Sequence, residues 1–560
     1  MSSILRRIPV VGLAIATAVS VLAPGCGGGG DVPSPVSPQF APFRHGEGGS
    51  LGYAALHFSE IYGDRADVAM HPVQPILGYP ALTWPGSGTL YVQYIGFCER
   101  VLEAIPGLRV AVTTTPWTPV SVDLRGSSLH RIGYDRLTAR QVCRALVAVQ
   151  VPETLAPGFH GLAHQMLGRD GAVPAISIET PGALVVRASN PSEVSDFSFV
   201  HLTDLHQRPS KYGAIRYKDF LPPDMMPEAV MPDAPPEQLP NLRALRVVHM
   251  INQLRPRPDL VVLTGDIVDH GDEAWMFRAA HAILARLEVP VFIIPGNHDY
   301  AHKHSVAPDD PELSRGDVGL MHYMQHFHPF LAPRFEFAGY RWQGLDTGLA
   351  ATDQDITRLA FITTTGVTRG QLADVERFLA SDSARGHILF GHTPTRTSVT
   401  GWTPGGRVGR SGAFNQNAGA LEKLLLDGAS RGKHVVYLNG HVHWNDVFQV
   451  PERSAESPFR LQQRRPVKQA GMPCFTRVPV HHSPVLISTQ SATKPQRIDL
   501  DWTDPGILPG EDPGNGFGFR LIRVSDDGWQ SAIYRFSGER DTIGRIVDGA
   551  EQVDALGGCN

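Results

Sequence analysis

The sequence is poor in cysteine: 5 of its 560 residues are Cys, whereas its content of Asp, Glu, Lys and Arg, 19%, is normal for a soluble globular protein. Its formal net charge is −5, and it contains neither a basic run nor an aromatic RNA-binding motif, so nothing in it predicts a nucleic-acid partner. The apolar stretch 8–22 is too short to predict a membrane-spanning helix. The hydrophobic content of 42% is ordinary for a globular protein, and the length predicts two or three domains.

The N-terminus has the features of an export signal. Arg6 and Arg7 precede the apolar residues 8–22, and the segment 22–26, Leu-Ala-Pro-Gly-Cys, follows. This segment is similar to a bacterial lipobox, whose Cys is lipidated and becomes the mature N-terminus. We therefore expect a signal peptide over 1–25, a lipid on Cys26, a flexible tether over 26–44 and a location in the bacterial cell envelope, in the periplasm or on the outer surface. The alternative is a plain secreted protein that is cut nearby.

Residues 45–192 show short apolar runs separated by Gly and Pro, such as 89–95, 110–112 and 183–187. This spacing predicts an all-β accessory domain, a β-sandwich, in which 139–149 alone has a helical pattern. The cysteines other than Cys26 are even in number and lie outside the motifs described next, which fits an oxidising compartment. Their spacing leaves the pairing open among Cys98, Cys143, Cys474 and Cys559.

The stretch 260–269, Leu-Val-Val-Leu-Thr-Gly-Asp-Ile-Val-Asp, predicts a buried strand that delivers the carboxylate of Asp266 at its C-terminal end. Ligands of α/β sheets bind beyond the carboxyl ends of the strands, so Asp266 is a candidate functional residue. Taken alone the signal is weak, because many core strands end in Gly-Asp for the sake of the turn.

Four more apolar strands end in Asp, Asn or His. A single such residue would be an ordinary core or surface residue, but five strand ends that present nitrogen and oxygen donors are hard to explain by packing. The sequence therefore predicts an α/β domain with one site at its strand ends. In chain order the further donors are Asp204, His206, Asn297, His298, Asp299, His392, His441 and His443.

The ordered motifs Asp-x-His, Gly-Asp, Gly-Asn-His-Asp, Gly-His and Gly-His-x-His resemble the calcineurin-like metallophosphoesterase family. The resemblance implies a four-layer αββα sandwich of two mixed sheets over 193–560. Helical patterns at 242–254, 274–287, 370–380 and 419–428 agree with such a domain, and a hairpin of 517–524 with 529–536 would complete it.

The resemblance also implies two divalent metal ions, for which Asp, Asn and neutral His suit Fe, Mn or Zn. It assigns one ion to Asp204, His206, Asp266 and His443, and the other to Asp266, Asn297, His392 and His441, so that Asp266 bridges the pair. Purple acid phosphatases carry Gly and Tyr where this chain has His206 and Asp269. The resemblance therefore favours the bacterial phosphodiesterase-type members.

By the same resemblance, His298 is the general acid and either Asp299 or Asp269 orients it. Asp299 is equally expected as a turn or helix-cap residue. Gly265, Gly296 and Gly440 are expected to allow tight turns close to the metals.

Three insertions, 207–239, 395–410 and 444–482, follow strand ends and carry basic residues. Long loops in this position often determine binding specificity, so the set is a candidate cationic rim for an anionic substrate. For each residue taken singly, surface decoration is the alternative. The basic residues are Arg208, Lys211, Arg216, Lys218, Arg396, Arg407, Arg410, Arg464, Arg465 and Lys468.

Together these expectations describe an exported dimetal phosphoesterase. It would hydrolyse a phosphomonoester or phosphodiester by metal-activated hydroxide attack, with His298 as acid. The alternative is a cell-envelope lipoprotein that binds a partner or polymer and keeps the metal fold as a scaffold. The complete ligand set and the presence of His298 favour the enzyme.

Overall fold

The computed structural model describes residues 49–63, 68–114, 117–167, 174–207, 242–300, 317–348, 365–380, 384–396, 417–443, 445–450, 459–460, 475–478, 480, 483–489, 491–492 and 516–537. The predicted signal peptide and tether lie outside these residues, as do Cys26, Cys474 and Cys559. Among the helices described, none combines the length and the apolar character that crossing a membrane requires.

The N-terminal region contains eight strands in one sheet, in the order β1-β3-β6-β5-β4-β7-β8-β2. Its elements are α1 (Gly49–Leu56), α2 (Phe58–Tyr62), β1 (His71–Gln74), β2 (Ala81–Thr83), β3 (Leu90–Phe97), α3 (Cys98–Ala104), β4 (Leu108–Val112), β5 (Thr118–Tyr134), β6 (Gln141–Gln150), β7 (Gly158–Leu167) and β8 (Pro174–Val186). Strand β5 pairs with β4 at its start and with β6 along the rest of its length. One buried core contains apolar residues from strands in both halves of this sheet, including Val92, Val147, Leu162 and Leu184.

Two expectations for this region need correction. The helix predicted over 139–149 is wrong, because these residues form strand β6, which pairs with β3 on one side and β5 on the other. The alanines suggested a helix, but β-branched Val142, Val147 and Val149 pack well on a sheet, and pairing on both sides overrides helix propensity. The region is also not all-β, since it includes α1, α2 and α3.

A disulfide joins Cys98, at the start of α3, to Cys143 in β6. It resolves part of the pairing that the spacing left open. Bonds of this kind form and persist mainly in oxidising environments.

The remaining elements form a second region with two sheets, ordered β11-β10-β9-β20-β21-β18 and β12-β13-β14-β15-β19-β16-β17. They are β9 (Phe197–Leu202), α4 (Leu242–Gln253), β10 (Leu260–Thr264), α5 (Ala274–Leu284), β11 (Val291–Ile294), α6 (Asp317–His326), β12 (Arg334–Phe337), β13 (Tyr340–Leu345), α7 (Arg369–Leu379), β14 (Gly386–Gly391), α8 (Ala418–Ala429), β15 (His434–Asn439), β16 (Asp446–Gln449), β17 (Phe459–Arg460), β18 (Thr476–Val478), β19 (Val485–Ser488), β20 (Gly516–Ser525) and β21 (Gly528–Ser537). The predicted α/β fold is confirmed, and so are the four predicted helices to within a few residues.

Continuous apolar runs explain why the central strands are buried on both faces. Val262 and Phe292 of the first sheet share a core with Trp342 and Ile388 of the second. The residues that alternate with these along the strands of the first sheet, such as Val261, pack in a separate core with α4, α5 and α6. The corresponding residues of the second sheet pack with α7 and α8.

The C-terminal hairpin completes the first sheet, as the sequence predicts. Strand β20 pairs with β21 across a turn at Asp526 and Asp527, and its other edge pairs antiparallel with β9. Strand β9 is therefore an interior strand, and the Asp204 loop that follows it starts from a fixed position.

The N-terminal region covers the other edge of this sheet. Gly78 forms a parallel bridge with Phe292 of β11, and its carbonyl accepts a hydrogen bond of 2.9 Å from the N–H of Ile293. The hydroxyl of buried Tyr79 donates to the carbonyl of Arg334 at 2.9 Å. Pairing of this kind protects an edge strand that would otherwise present unpaired backbone groups. Here the protected strand is the one that leads to Asn297 and His298.

Candidate metal centre

The five predicted strand ends meet at one place. Strands β9, β10 and β11 are parallel neighbours in the first sheet, and β14 and β15 are parallel neighbours in the second. Their carboxyl ends therefore lie at corresponding edges of the two sheets. The donor residues form two groups that share one carboxylate.

The first group joins Asp204, His206 and His443. The Nε2 atoms of the two histidines are 2.9 Å apart, and Oδ1 of Asp204 lies 3.1 Å from Nε2 of His443 and 3.5 Å from Nε2 of His206. Oδ2 of Asp204 accepts hydrogen bonds from the hydroxyl of Thr203 at 2.6 Å and from the N–H of His441 at 3.0 Å. Oδ1 is buried without a hydrogen-bond donor among the described residues, so it is oriented as a ligand atom.

The second group surrounds Nε2 of His392. This nitrogen lies 3.1 Å from Oδ2 of Asp266, 3.0 Å from Oδ1 of Asn297 and 3.2 Å from Nδ1 of His441. The other oxygen of Asp266, Oδ1, accepts a 2.8 Å hydrogen bond from the N–H of His298. The hydrogen bond at Oδ1 fixes the carboxylate and directs Oδ2 towards the histidines.

Asp266 links the two groups. Its Oδ2 atom is 3.1 Å from Nε2 of His392 in the second group and 3.7 Å from Nε2 of His206 in the first. The side chain is 2% exposed. One buried oxygen atom therefore faces both clusters of donors, as a bridging ligand would.

Backbone strain is concentrated at these residues. Among the described residues, eight that are not glycine have positive φ, and five of them belong to the two groups. Each such conformation costs about 1–3 kcal/mol and persists only where the surroundings enforce it. The strain therefore marks a functional site. The five residues, with φ from 41° to 66°, are Asp204, His206, Asp266, His441 and His443.

Charge is distributed unequally among the buried donors. Burial opposes ionisation of Asp204 and Asp266, yet the nearby histidines hold the pKa of each carboxyl below its usual range. Burial would lower the pKa of His392, but Asp266 and Asp204 raise it to about 9. Burial, assisted by His392, lowers the pKa of His441 to about 3. The two carboxylates thus create a site that attracts positive charge.

Neighbouring groups fix the tautomers of two histidines. Nδ1 of His392 lies 2.7 Å from the carbonyl of Thr264, which can only accept, so Nδ1 carries a proton, and Nε2 is the nitrogen that would bind a metal ion after losing its own proton. Nδ1 of His206 lies 3.0 Å from Oδ1 of Asp269, which favours the same tautomer. Such contacts orient metal-binding histidines in proteins.

Several residues that support the donors are not marked by any motif in the sequence. Thr203 and Thr264 look like ordinary strand residues in the sequence, although their polar atoms hold Asp204 and His392. The hydroxyl of Thr347 accepts the N–H groups of His392 at 3.0 Å and Thr393 at 2.9 Å. The available signal was the Asp-Thr-Gly sequence at 346–348, directly after strand β13.

His298 lies beside the first group and contacts Asp269. Its Nδ1 atom lies 2.9 Å from the carbonyl oxygen of Asp269 and 3.9 Å from the carboxylate Oδ1. The carbonyl can only accept, so Nδ1 is protonated. Of the two orienting partners expected for His298, Asp269 is the one that the contacts favour.

Asp299 holds two loops together. Its carboxylate accepts hydrogen bonds from the N–H groups of Gly296 at 2.7 Å, Val268 at 3.0 Å and Ile267 at 3.2 Å. Burial and the charge of Asp266 raise its pKa to about 7. These contacts agree with the turn role expected as the alternative, and they make Asp299 a positioning residue for the loops after β10 and β11.

The donor set fits divalent cations. It consists of carboxylate oxygens, an amide oxygen and imidazole nitrogens, which suit Zn²⁺, Fe²⁺ and Mn²⁺. The donor atoms within each group lie 2.9–3.5 Å apart, close enough for one ion to contact them at the distances of about 2.0–2.2 Å that are usual for nitrogen and oxygen ligands. No ligand set of this kind requires a cysteine.

The predicted cationic rim can be checked at only one residue. The guanidinium of Arg396 forms two 2.6 Å hydrogen bonds with the carboxylate of Glu422 in α8, which is 8% exposed. Arg396 is therefore engaged in an internal ion pair. The nine other basic residues named for the rim lie outside the described residues.

The model of the calcineurin-like phosphoesterase family matches residues 197–445. This chain contains a calcineurin-like phosphoesterase domain. The predicted metallophosphoesterase superfamily is thereby confirmed, and the matched residues include both groups of donors.

A probable glycerophosphodiester phosphodiesterase, GpdQ, of Arcobacter nitrofigilis is 49% identical over 57 residues, which are 10% of this chain and 19% of that protein. The chain thus matches about a fifth of the length of this relative. Among solved structures, PhoD has a TM-score of 0.45 at 12% identity, with 84% of this chain and 87% of that chain covered. Purple acid phosphatase PPD1 from yellow lupin seeds (Lupinus luteus) has a TM-score of 0.44 at 13% identity, with coverages of 88% and 77%.

Gly296 offers a test of how closely the site is packed. A Cβ atom at this position would lie 2.4 Å from both N and Oδ1 of Asp266. We expect Gly296→Ala to displace Asp266 and to reduce the content of bound Mn²⁺ by at least half, as measured by elemental analysis after equilibration and desalting.

Gly419→Ala is the matched control, because a Cβ there meets no atom within 4 Å. Its metal content should equal that of the parent protein. Full metal content in Gly296→Ala would show that the loop can move without affecting the donors.

Proposed function

We propose that the protein is a dimetal phosphoric ester hydrolase. One ion would be held by Asp204, His206, Asp266 and His443, and the other by Asp266, Asn297, His392 and His441. The observation that carries this proposal is the position of Oδ2 of Asp266, between His392 at 3.1 Å and His206 at 3.7 Å.

When bound, two such ions activate a water molecule for attack and stabilise the charge of the phosphoryl oxygens. The protein supplies the geometry for this chemistry. Asp204 and Asp266 remain ionised in a buried site because histidines face them. Strained loop conformations hold the donors in place before any substrate arrives.

His298 is proposed as the general acid. With Nδ1 held by the carbonyl of Asp269, Nε2 is the nitrogen that would transfer a proton to the leaving oxygen. Asp269 also faces His206, so it positions both the acid and a ligand of the first group. A scaffold without activity would need neither this arrangement nor the strained loops.

The substrate class that we favour is a phosphodiester. The match to a glycerophosphodiester phosphodiesterase supports this choice over a monoester, although it spans about a fifth of that relative.

We further propose a four-layer αββα arrangement for 193–560 and a β-sandwich accessory domain for 45–192. The shared core of Val262, Phe292, Trp342 and Ile388 supports two sheets packed face to face. The helix-lined cores on the other faces support the outer layers. The core formed by Val92, Val147 and Leu184 supports the sandwich.

Export to the cell envelope with a lipid on Cys26 is also proposed. The disulfide between Cys98 and Cys143 supports an oxidising compartment. In a bacterial expression host, the parent protein should partition into detergent, whereas Cys26→Ser should appear in the soluble fraction. A mature N-terminus that lacks Cys26 would contradict the lipid anchor.

The bridging role is tested by Asp266→Ala. Because this residue belongs to both groups, we expect loss of both metal ions and of hydrolysis of bis(p-nitrophenyl) phosphate with Mn²⁺. His392→Ala should mainly weaken the second site and retain about one ion per chain, since its ring faces only that group. Elemental analysis measures both, and two retained ions in Asp266→Ala would refute the bridge.

The acid role is tested with esters of different leaving groups. Positioned acid catalysis contributes about 10²–10⁴-fold when an alkoxide leaves, but a nitrophenolate needs little protonation. We expect His298→Ala to lose most activity on alkyl diesters such as glycerophosphodiesters, to keep much more on p-nitrophenyl esters, and to bind both metals.

His270→Ala is the matched control, since it removes a neighbouring imidazole that lies 3.5 Å from Asp269. It should affect both kinds of ester alike. Equal losses on both substrates in His298→Ala, with unchanged metal content, would instead assign His298 to phosphoryl binding.

A further inference from the structure

Arg520 is a buried arginine in strand β20, outside the residues 197–445 that the family model matches. Its side chain is 1% exposed. An arginine loses favourable hydration on burial, so its guanidinium needs several hydrogen-bond acceptors arranged to fit its planar shape. The partners of this guanidinium lie next to the two donor groups.

The guanidinium joins three segments of chain. One terminal nitrogen donates to Oδ1 of Asn445 at 3.3 Å and to the carbonyl of Ser488 at 3.2 Å, and the other donates to the hydroxyl of Ser531 at 3.1 Å. Asn445 is two residues beyond His443, and Ser488 ends β19, the strand next to β15. Arg520 therefore holds the His443 loop against the end of the neighbouring strand.

A chain of hydrogen bonds continues from Arg520 to the second group. Nε of Arg520 donates to the hydroxyl oxygen of Thr489 at 3.3 Å, and this hydroxyl lies 2.8 Å from Nδ1 of His201. Nε2 of His201 lies 3.0 Å from the hydroxyl of Thr264. The carbonyl of the same Thr264 accepts the 2.7 Å hydrogen bond from Nδ1 of His392.

Arg520 is the positively charged end of this series of hydrogen bonds, and it sets the donor and acceptor in the first of them. Arg520 can only donate, so the hydroxyl of Thr489 accepts from it and is free to donate to Nδ1 of His201. His201 is then neutral, with its proton on Nε2 directed at Thr264. Burial, with the charge of Arg520 acting in the same direction, lowers the pKa of His201 to about 3, in agreement with a neutral ring.

We propose that Arg520 is a positioning residue of the metal centre, which acts through Thr489, His201 and Thr264 on His392 and through Asn445 on the His443 loop. The inference rests on the proposed dimetal function. It assigns to the C-terminal hairpin a role in metal binding beyond completing a sheet. Outer partners of this kind typically change metal affinity by about 10–100-fold when they are removed.

The test uses the full chain stripped of metal and titrated with Co²⁺, followed by visible absorption and by the unfolding midpoint of the metal-free protein. Arg520→Lys keeps the charge but cannot contact Thr489, Ser488 and Asn445 together. Thr489→Val keeps the shape but breaks the connection to His201. In each variant we expect at least one of the two Co²⁺ ions to bind about 10-fold more weakly, with a changed spectrum.

Arg523→Lys is the matched control, because Arg523 lies in the same strand and places its guanidinium 4.1 Å from the ring of Phe475. It should bind Co²⁺ like the parent protein. Unchanged affinity and spectrum in Arg520→Lys and Thr489→Val would overturn the inference, as would an equal loss in the control. If Arg520→Lys does not fold, Thr489→Val decides.

Co²⁺ binding by the parent protein distinguishes failure of this inference from failure of the dimetal function on which it rests. Two Co²⁺ ions bound per parent chain, with variants that bind equally well, would reject the role of Arg520 alone. A parent chain that binds no Co²⁺ would reject the dimetal function, and this inference would be rejected with it.

Discussion

The burial of two carboxylates, Asp204 and Asp266, is the constraint on which the rest of the structure depends. Both are at most 1% exposed, and a buried charge is costly unless opposite charge and hydrogen bonds compensate for it. Histidines from three strand ends, those of β9, β14 and β15, face these carboxylates at 3.1–3.7 Å. Because such compensation must come from both sheets, the two sheets have to meet with their carboxyl ends at the same level.

The loops that carry the donors give up conformational freedom for this arrangement. Five donors adopt positive φ, and glycines are required where neighbouring segments come too close for a Cβ atom. A Cβ on Gly440 would overlap the hydroxyl of Thr203, and one on Gly265 would lie 2.5 Å from the backbone of Gly296. Asp299 then ties the loops after β10 and β11 together with three hydrogen bonds. Hydrogen bonds within the site itself therefore help to stabilise the strained loops.

The position of the site can be predicted from the sequence because its signal is local: an apolar strand followed at once by a donor. Each of Asp204, Asp266, Asn297, His392 and His441 is recognisable from its own ten residues. The supporting contacts could not be read in this way. Thr264 acts on His392 from 128 positions away, and nothing in its own neighbourhood distinguishes it from any other strand threonine.

The errors have equally physical causes. Strand β6 contains enough alanine to resemble a helix, and only the pairing of its two edges, with β3 and β5, decides its conformation. Arg396 follows a strand end, where a substrate contact was expected. Its partner Glu422 lies 26 residues further along, in α8. The charge of a side chain predicts what kind of group it can bind, whereas only the fold determines which group lies next to it.

The regions outside the matched domain hold the two ends of the first sheet. At one edge, Gly78 pairs with the strand that leads to Asn297 and His298. On the other side, β20 pairs with the strand that leads to Asp204 and His206. A sheet edge that is free can slip or bend, and small displacements matter where donors must converge to within a few tenths of an ångström. The N-terminal region and the C-terminal hairpin are therefore part of the structure that sets the metal-binding geometry.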